Sequence, residues 1–481
     1  MTVRTIIIPD SLGHLFAALA VFGCAFFPGA SSVAQSGTQR QVTTALPLAE
    51  PGPVTPVILK EGRFVNARTG ALFTPFGVNY CVVGEFKTGK RGHATFSPSH
   101  YDRDFVGAMM RDLRDWGCNT VRVFHAYVAA ADGIVTSREA TELAPGYVAN
   151  FLDFLAQARA HDIRVIVSFD VWGTGCPWLA ERALPVDPEY EFPLETWDEN
   201  YKRNNFQLCR TPARERANTI IEFIRAIRQH DPTLAPTILA WELENELNLH
   251  DDYPPFDGSL QTTAFGGRTF DLGDDAGRQA YLDAVFVNWC DYLRAAIRQE
   301  DPDALVSASV FTFAAVGLER PGFFMGVTRR DRRIPARPLA LLDSGIDFVD
   351  IHSYVWRDLD STRDELWHLR RNMESVEFDA LSAKAARLGK PIIVGETGVH
   401  NTYTNRPGLS IPDRVKLGAD YLHNHVRALR ETYGVAGMLF WTYGTKALPE
   451  HGLYYDLNRQ PVVRDSFVDA WLGQTVRQGE P

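Results

Sequence analysis

The sequence predicts an α/β chain folded as a (β/α)8 TIM barrel, with a short N-terminal hairpin and a long insert after the third strand. Three observations carry that expectation. Short β-rich runs recur over roughly 400 residues, and most are apolar throughout, as strands buried on both faces of a parallel sheet are. Amphipathic helical stretches separate these runs. The usual nucleotide-binding signals of open sheets are missing, since no GxGxxG follows the first run and no GxxxxGKS/T occurs. A doubly wound open sheet is the alternative that periodicity alone leaves open.

The eight runs are Phe76–Tyr80, Thr120–Phe124, Arg164–Phe169, Ile238–Glu244, Leu305–Ser309, Phe348–His352, Ile392–Gly395 and Met438–Trp441. Between them, Val148, Phe151, Leu152 and Leu155 repeat at helical spacing. Ile220, Phe223, Ile224 and Ile227 do the same, as do Leu282, Phe286, Trp289 and Leu293. Gly117, His161-Asp162 and Gly389-Lys390-Pro391 stand just ahead of strand candidates, where helices must stop. Before the first run, Phe64-Val65 and Leu72-Phe73 around Thr69-Gly70 form a hairpin expected to plug the barrel bottom. The insert from Val171 to Pro212 is far longer than an ordinary strand–helix loop, and such loops serve as walls or lids.

Composition narrows the class of function. Of 481 residues, 45% are hydrophobic and 22% charged, which is ordinary for a soluble globular chain and excludes a disordered or collagen-like one. A net charge of −10 argues against a broad nucleic-acid-binding surface. The one dense basic run, Arg329, Arg330, Arg332, Arg333 and Arg337, reads as a solvated loop. Residues 1–34 read as a signal peptide. Arg4 precedes an apolar stretch from Leu15 to Phe27 that is shorter than a membrane span, and Ser32-Val33-Ala34 fits a cleavage site before Gln35. Lipid attachment at Cys24 is the alternative. Residues 35–57, with Pro47, Pro51, Pro53 and Pro56, read as an extended linker, and residues 58–475 as the catalytic domain. The expected product is an exported monomer with no membrane span after processing. Cys118 and Cys290 fall in apolar patterns and read as buried thiols, while Cys176 and Cys209 bracket the insert as a candidate disulfide. No CxxC or HExxH spacing points to zinc, and no cofactor is called for.

In barrels of this kind reactive groups gather at the C-terminal ends of strands. Those ends offer Asn79 and Tyr80, Arg122, Asp170, Asn245 and Glu246, His352 and Tyr354, Glu396, and Trp441. Two are glutamates, on the fourth and seventh strands, at opposite sides of the mouth. Paired carboxyl groups facing one point suit glycosidic bond cleavage: one protonates the leaving oxygen while the other attacks the anomeric carbon or activates water. Glu242 and Glu244 share strand parity with Glu246, so a local irregularity or arginine pairing is expected there. His125 and Tyr127 after the second strand, and Trp172 and Trp178 in the insert, are candidate subsite walls.

These residues carry a resemblance. The segment Ile238 to Glu246, ending Glu244-Asn245-Glu246, resembles the strand-four signature of clan A glycoside hydrolases, and Pro391-Ile392-Ile393-Val394-Gly395-Glu396-Thr397-Gly398 their strand-seven signature. Asn119-Thr120-Val121-Arg122, Ile351-His352-Ser353-Tyr354 and Leu439-Phe440-Trp441 match further recurring positions in order. Gly452-Leu453-Tyr454-Tyr455-Asp456 with Pro461 resembles the strand-eight hairpin. The match spans roughly residues 60–470 and is similar to glycoside hydrolase family 5, with features of its β-mannanases.

The resemblance implies a retaining β-glycoside hydrolase acting on a β-linked polysaccharide or oligosaccharide, endo-β-1,4-mannanase-like. A β-glucanase or exo-acting β-glycosidase, or a lapsed glycan-binding barrel, are the alternatives. It implies Glu246 as acid/base, with burial and the Glu396 charge raising its pKa. Glu396 would be the nucleophile, kept ionised by Arg122 and Tyr354. Asn245 would meet the sugar 2-hydroxyl, His352 would orient the acid or the sugar, and Trp441 would floor the cleavage point. Asn79, His125 and Trp172 complete the expected substrate contacts. The expected separation of the two carboxyl groups is ~5–5.5 Å. Two departures concern substrate contacts: Phe169-Asp170 stands where many family members carry a histidine, and Gly77-Val78-Asn79-Tyr80 replaces an Arg-Gly-x-Asn form.

Overall fold

The structure is a computed structural model that describes residues 54–126, 128–137, 139–170, 187–322, 331–354, 365–399, 408–444 and 456–473. The leader with Cys24, most of the proline-rich linker, Tyr127, Trp172, Cys176, Trp178, Arg329, Arg330 and the segment Gly452 to Tyr455 lie outside the described residues.

The eight runs form eight parallel strands that close into a barrel. They are β1 (Phe76–Tyr80), β2 (Thr120–Ala126), β3 (Arg164–Asp170), β4 (Ile238–Glu242), β5 (Val306–Phe311), β6 (Phe348–His352), β7 (Ile392–Thr397) and β8 (Met438–Phe440). Each pairs with its sequence neighbour, and β8 returns to β1 through Met438–Phe76 and Phe440–Val78. This is the (β/α)8 architecture; the open sheet is set aside. The longer crossover helices are α1 (Arg103–Asp115), α2 (Pro145–Ala160), α3 (Arg210–His230), α4 (Asp275–Glu300), α5 (Glu365–Ser375), α6 (Phe378–Leu388), α7 (Ile411–Glu431) and α8 (Pro461–Leu472). Local chemistry starts several of them. Asp102 accepts from Phe105 N at α1, Asp274 accepts from Gly277 N at α4, and Pro145 and Pro461 sit in first turns where no amide partner is lost. Among the described residues no helix is long and apolar enough to cross a membrane.

Strand parity sorts the side chains. Val121, Val123, Val165, Val167, Trp241, Val349, Ile351 and Val394 point out and join the large apolar layer beneath the helices. The alternate positions point in. At the bottom, Ile166, Ala240, Phe348, Ile393 and Leu439 pack with Val57 and Phe64 of the N-terminal hairpin. Phe64 meets Phe348 edge-on at 5.2 Å. The expected pairing is present, since Phe73 N donates to Phe64 O, and Val57–Lys60 adds a further strand against Arg63–Asn66. At the top the interior is polar: Asn79, Arg122, Ser168, Glu242, Ser309 and Asp350 are all buried.

Gly395 of β7 shows how tightly this layer is closed. Its amide donates to Asp350 Oδ1 at 2.5 Å, and a Cβ there would stand 1.7 Å from Asp350 Oδ2. Asp350 is fully buried, so it has no room to withdraw. Gly395→Ala is expected to lower unfolding free energy by about 3 kcal/mol. A urea titration giving less than half that loss would show the inner layer to be loosely packed.

Candidate active site

Arg122 organises the barrel mouth from below. It is fully buried, and its guanidinium donates to six neighbours, among them Ser309 Oγ at 3.3 Å. One terminal nitrogen donates to Glu396 Oε1 at 2.6 Å and to Asn79 Oδ1 at 3.0 Å. The other donates to Glu242 Oε1, to Asn245 Oδ1 at 2.8 Å and to Ser168 at 3.2 Å. A charge this deep is tolerable only when paired and fully hydrogen-bonded. Glu242 is the second carboxylate that neutralises it, and Ser168 donates to Glu242 at 2.6 Å. The Arg122–Glu242 pair and support of Glu396 therefore coexist on one side chain.

Three acids along one strand are separated by the irregularity that parity requires. β4 stops at Glu242, and Glu244 turns aside to form a buried ion pair with Arg216 of α3. Glu246 sits beyond, with φ at 53°, and its amide donates to Ser309 Oγ at 2.9 Å. A left-handed backbone at a non-glycine residue is uncommon and marks a place where surrounding contacts hold the chain. On β7 the pairing with β6 slips by one residue between Asp350 and His352, so Glu396 turns inward although Gly395 also faces in.

The result is a pair of carboxyl groups with an imidazole between them. His352 Nδ1 lies 3.3 Å from Glu246 Oε1 and 3.5 Å from Glu396 Oε2. One oxygen of each glutamate and a ring nitrogen of His352 all fall within 4.8 Å of one another. That is on the side of the ~5–5.5 Å spacing of retaining glycosidases, not the ~6.5–9.5 Å of inverting ones. Arg122 and Arg333 already place positive charge on these two carboxylates, so the trio is arranged for a reacting centre between two acids and not for a cation. Tyr354 donates to Glu396 Oε2 at 2.6 Å. Glu396 thus accepts two short hydrogen bonds.

Charge states differ from the sequence expectation. Burial would raise the Glu246 carboxyl, but the His352 hydrogen bond and the Arg333 and His352 charges outweigh it and hold it at about 2. Burial pushes Glu396 upward, against the pull of His352, Arg122 and Tyr354. His352 is raised: burial lowers it, and Glu396 and the bond to Glu246 more than compensate. The expected upward shift of Glu246 fails because of the His352 hydrogen bond and, after it, the charge of Arg333. This residue belongs to the basic run read as solvated, yet it donates to Glu246 Oε2 at 3.2 Å. Its neighbours are also engaged: Arg332 pairs with Asp251, and Arg337 with Glu377 and Asp283.

The remaining candidates divide. Asn245 lies beside Glu246 and holds Asp170 through its amide at 3.5 Å. Trp441 follows β8, partly open, with its ring edge-on to Phe124 at 5.5 Å. Asn79 is brought to the site but beneath it, donating to Gly395 O at 2.7 Å while accepting from Arg122. It braces the barrel and does not open on the mouth. His125 is a correction. It is fully buried on the outer face of β2, bonded to Tyr147 at 3.0 Å and stacked on Phe223 at 4.4 Å. Parity predicts this, because position 125 falls with Val121 and Val123 and opposite Arg122. Sequence reasoning passed over His93, which brings an imidazole nitrogen to 3.4 Å from Asp170 Oδ2 at the end of β3. It arrives on the short strand Arg91–His93 that pairs with Val83–Glu85, close to where the family histidine was missing.

A sequence model of the family described as Cellulase (glycosyl hydrolase family 5) matches residues 85–445. No curated protein sequence matches. Among solved structures, the chain is similar to the exo-β-1,4-mannosidase Op5Man5 from Opitutaceae bacterium strain TAV5, with TM-score 0.53 and 18% identity. That alignment covers 87% of this chain and 62% of the mannosidase, so the chain spans less than two thirds of that protein. It is also similar to the endo-1,4-β-mannanase from Rhizomucor miehei, with TM-score 0.50, 16% identity, and 87% and 100% of the two chains covered. A family 5 mannosidase from Rhizomucor miehei aligns with TM-score 0.50 and 15% identity over 88% and 99%. At these identities the likeness is one of fold, and the family model adds the rest: the chain belongs to glycoside hydrolase family 5.

Proposed function

We propose that the chain is a retaining β-mannan hydrolase in which Glu246 is the acid/base and Glu396 the nucleophile. The observation that carries this reading is the opposition of the two glutamates, with an oxygen of each within 4.8 Å of the other and His352 between them. Glu396 attacks the anomeric carbon as Glu246 gives its proton to the departing glycosidic oxygen. Water, deprotonated by Glu246, then releases the sugar from Glu396 with its configuration restored. Arg122 and Tyr354 draw charge onto Glu396, which favours departure of the sugar in the second step. Asn245 and the partly open Trp441 supply a polar and an aromatic surface to the sugar between the carboxyls. Mannan is favoured because three solved neighbours of this fold are two mannosidases and a mannanase.

Reducing ends released from mannan, β-glucan and xylan test the substrate, and mannan is expected to lead. Oligosaccharides of mixed length early in the reaction identify internal cleavage, and mannose alone identifies terminal release. The acid/base role is tested with Glu246→Gln. Loss in kcat/KM on phenyl β-mannoside is expected to be ~10²–10⁴-fold, with change in kcat/KM within roughly threefold on the 2,4-dinitrophenyl glycoside, whose leaving group needs no proton. Equal losses on both substrates would remove Glu246 from that role.

A further inference from the structure

Arg333 is not supplied by any barrel strand. It lies on the short strand Arg333–Pro335 in the connection after β5, which pairs antiparallel with Asn248–His250 in the connection after β4. The register sets Arg333 opposite His250, Ile334 opposite Leu249 and Pro335 opposite Asn248. Ala336 N continues the contact to Leu247 O at 2.9 Å. Two loops from adjacent strands are thus sewn together beside Glu246, and Asn248 donates to Glu246 O at 2.6 Å.

The side chain is held on three sides. Asp331 receives Nε and Nη2 of Arg333, the latter at 2.8 Å, and also its backbone amide at 3.0 Å. The face of Phe311, the last residue of β5, lies 4.6 Å from the guanidinium carbon. Nη1 meets Glu246 Oε2 at 3.2 Å. A planar fork fixed at one edge by a carboxylate and on one face by a ring has little freedom to turn. Its Nη1 is therefore aimed at Glu246.

We propose that Arg333 is a positioning residue for Glu246, fixing where its carboxyl points and weighting it toward its charged, base-competent form. The proposal rests on the reading of Glu246 as the acid/base. Charged or titratable groups reach Glu246 from each element around it: His352 on β6, Glu396 on β7, Arg122 on β2, and Arg333 with Asp331 on the loop after β5. Of these, His352 and Arg122 also serve Glu396, whereas the Arg333 contact is with Glu246 and not with Glu396. Arg333 thus biases one carboxyl of the pair.

The sign of its effect is as follows. A neighbouring cation favours the ionised carboxylate, so its removal lets Glu246 keep a proton to higher pH. The reacting form has Glu246 protonated and Glu396 ionised; with Glu246 held at about 2 and Glu396 raised, it is the minor arrangement of one shared proton. Losing the cation raises its share by the same factor at every pH from 4 upward, and this counts only where Glu246 must give a proton.

The test is the ratio of kcat/KM for Arg333→Met to that of the unaltered enzyme, measured from pH 4 to pH 10 on phenyl β-mannoside and on the 2,4-dinitrophenyl glycoside. The phenyl ratio divided by the dinitrophenyl ratio is expected to lie about tenfold above one and to stay level with pH, the effect of roughly one pKa unit from one lost charge. Arg333→Lys, which keeps the charge, is expected to leave this quotient near one. Disturbed packing lowers both substrates equally and also leaves it at one. A quotient at or below one for Arg333→Met overturns the proposal. Glu246→Gln in parallel separates the two failures: if it discriminates between the substrates while Arg333→Met does not, only the Arg333 assignment falls.

Discussion

Glu396→Ala is expected to lose about 10⁴-fold or more in kcat/KM on mannan and on aryl mannosides alike, because the first bond made to the anomeric carbon loses its nucleophile. No other described carboxylate stands ready to substitute. Glu242 is fully buried and committed to Arg122 and Ser168, and Asp350 is buried beneath Gly395. Unlike Glu246→Gln, this variant should be equally impaired on the dinitrophenyl glycoside, since attack is required whatever the leaving group. Added azide can enter the space vacated by the carboxylate and attack from the same face, giving a glycosyl azide of inverted configuration. Retention of more than about one tenth of the activity, well short of a nucleophile's contribution, would remove Glu396 from this role.

Arg122→Leu is expected to be the most damaging single substitution to the fold. It leaves Glu242 and Glu396 without their shared cation and frees acceptors on Asn79 and Asn245. Breaking a buried pair from one side costs about 3–5 kcal/mol, because the remaining charge stays desolvated. Urea denaturation should show that loss. Arg122→Lys, which keeps the charge but not the fork, should recover part of the stability while remaining catalytically poor. A fully stable Arg122→Leu protein would mean that Glu242 and Glu396 find other compensation, and the network drawn around Arg122 would be wrong.

The strands were legible because both faces of a closed parallel sheet are covered, so their sequences are nearly continuous apolar runs. Polar residues breaking those runs, such as Arg122, Glu242 and His352, marked the inner face near its open end. His125 was misplaced because its closeness to the C-terminal end of β2 was weighed and its parity was not. The turn of Glu396 into the barrel depends on a one-residue slip between β6 and β7, which leaves no local mark on the chain. Arg333 was the least visible. Its segment is rich in arginine and looks solvated, and its partners, Glu246, Phe311 and His250, are brought to it by a pairing of two distant loops.

Asn79 binds carbonyls of Gly395 and Phe440, residues 316 and 361 positions away. Such joins cannot form until nearly the whole polypeptide has been made, and loops of that size close at a high entropic cost. A nascent chain lacking its final strand would leave β1 and β7, which carry Asn79 and Glu396, as open, unsealed sheet edges. The same asparagine that clasps the last seam also steadies the guanidinium below Glu396, so catalytic competence arrives only with the completed ring.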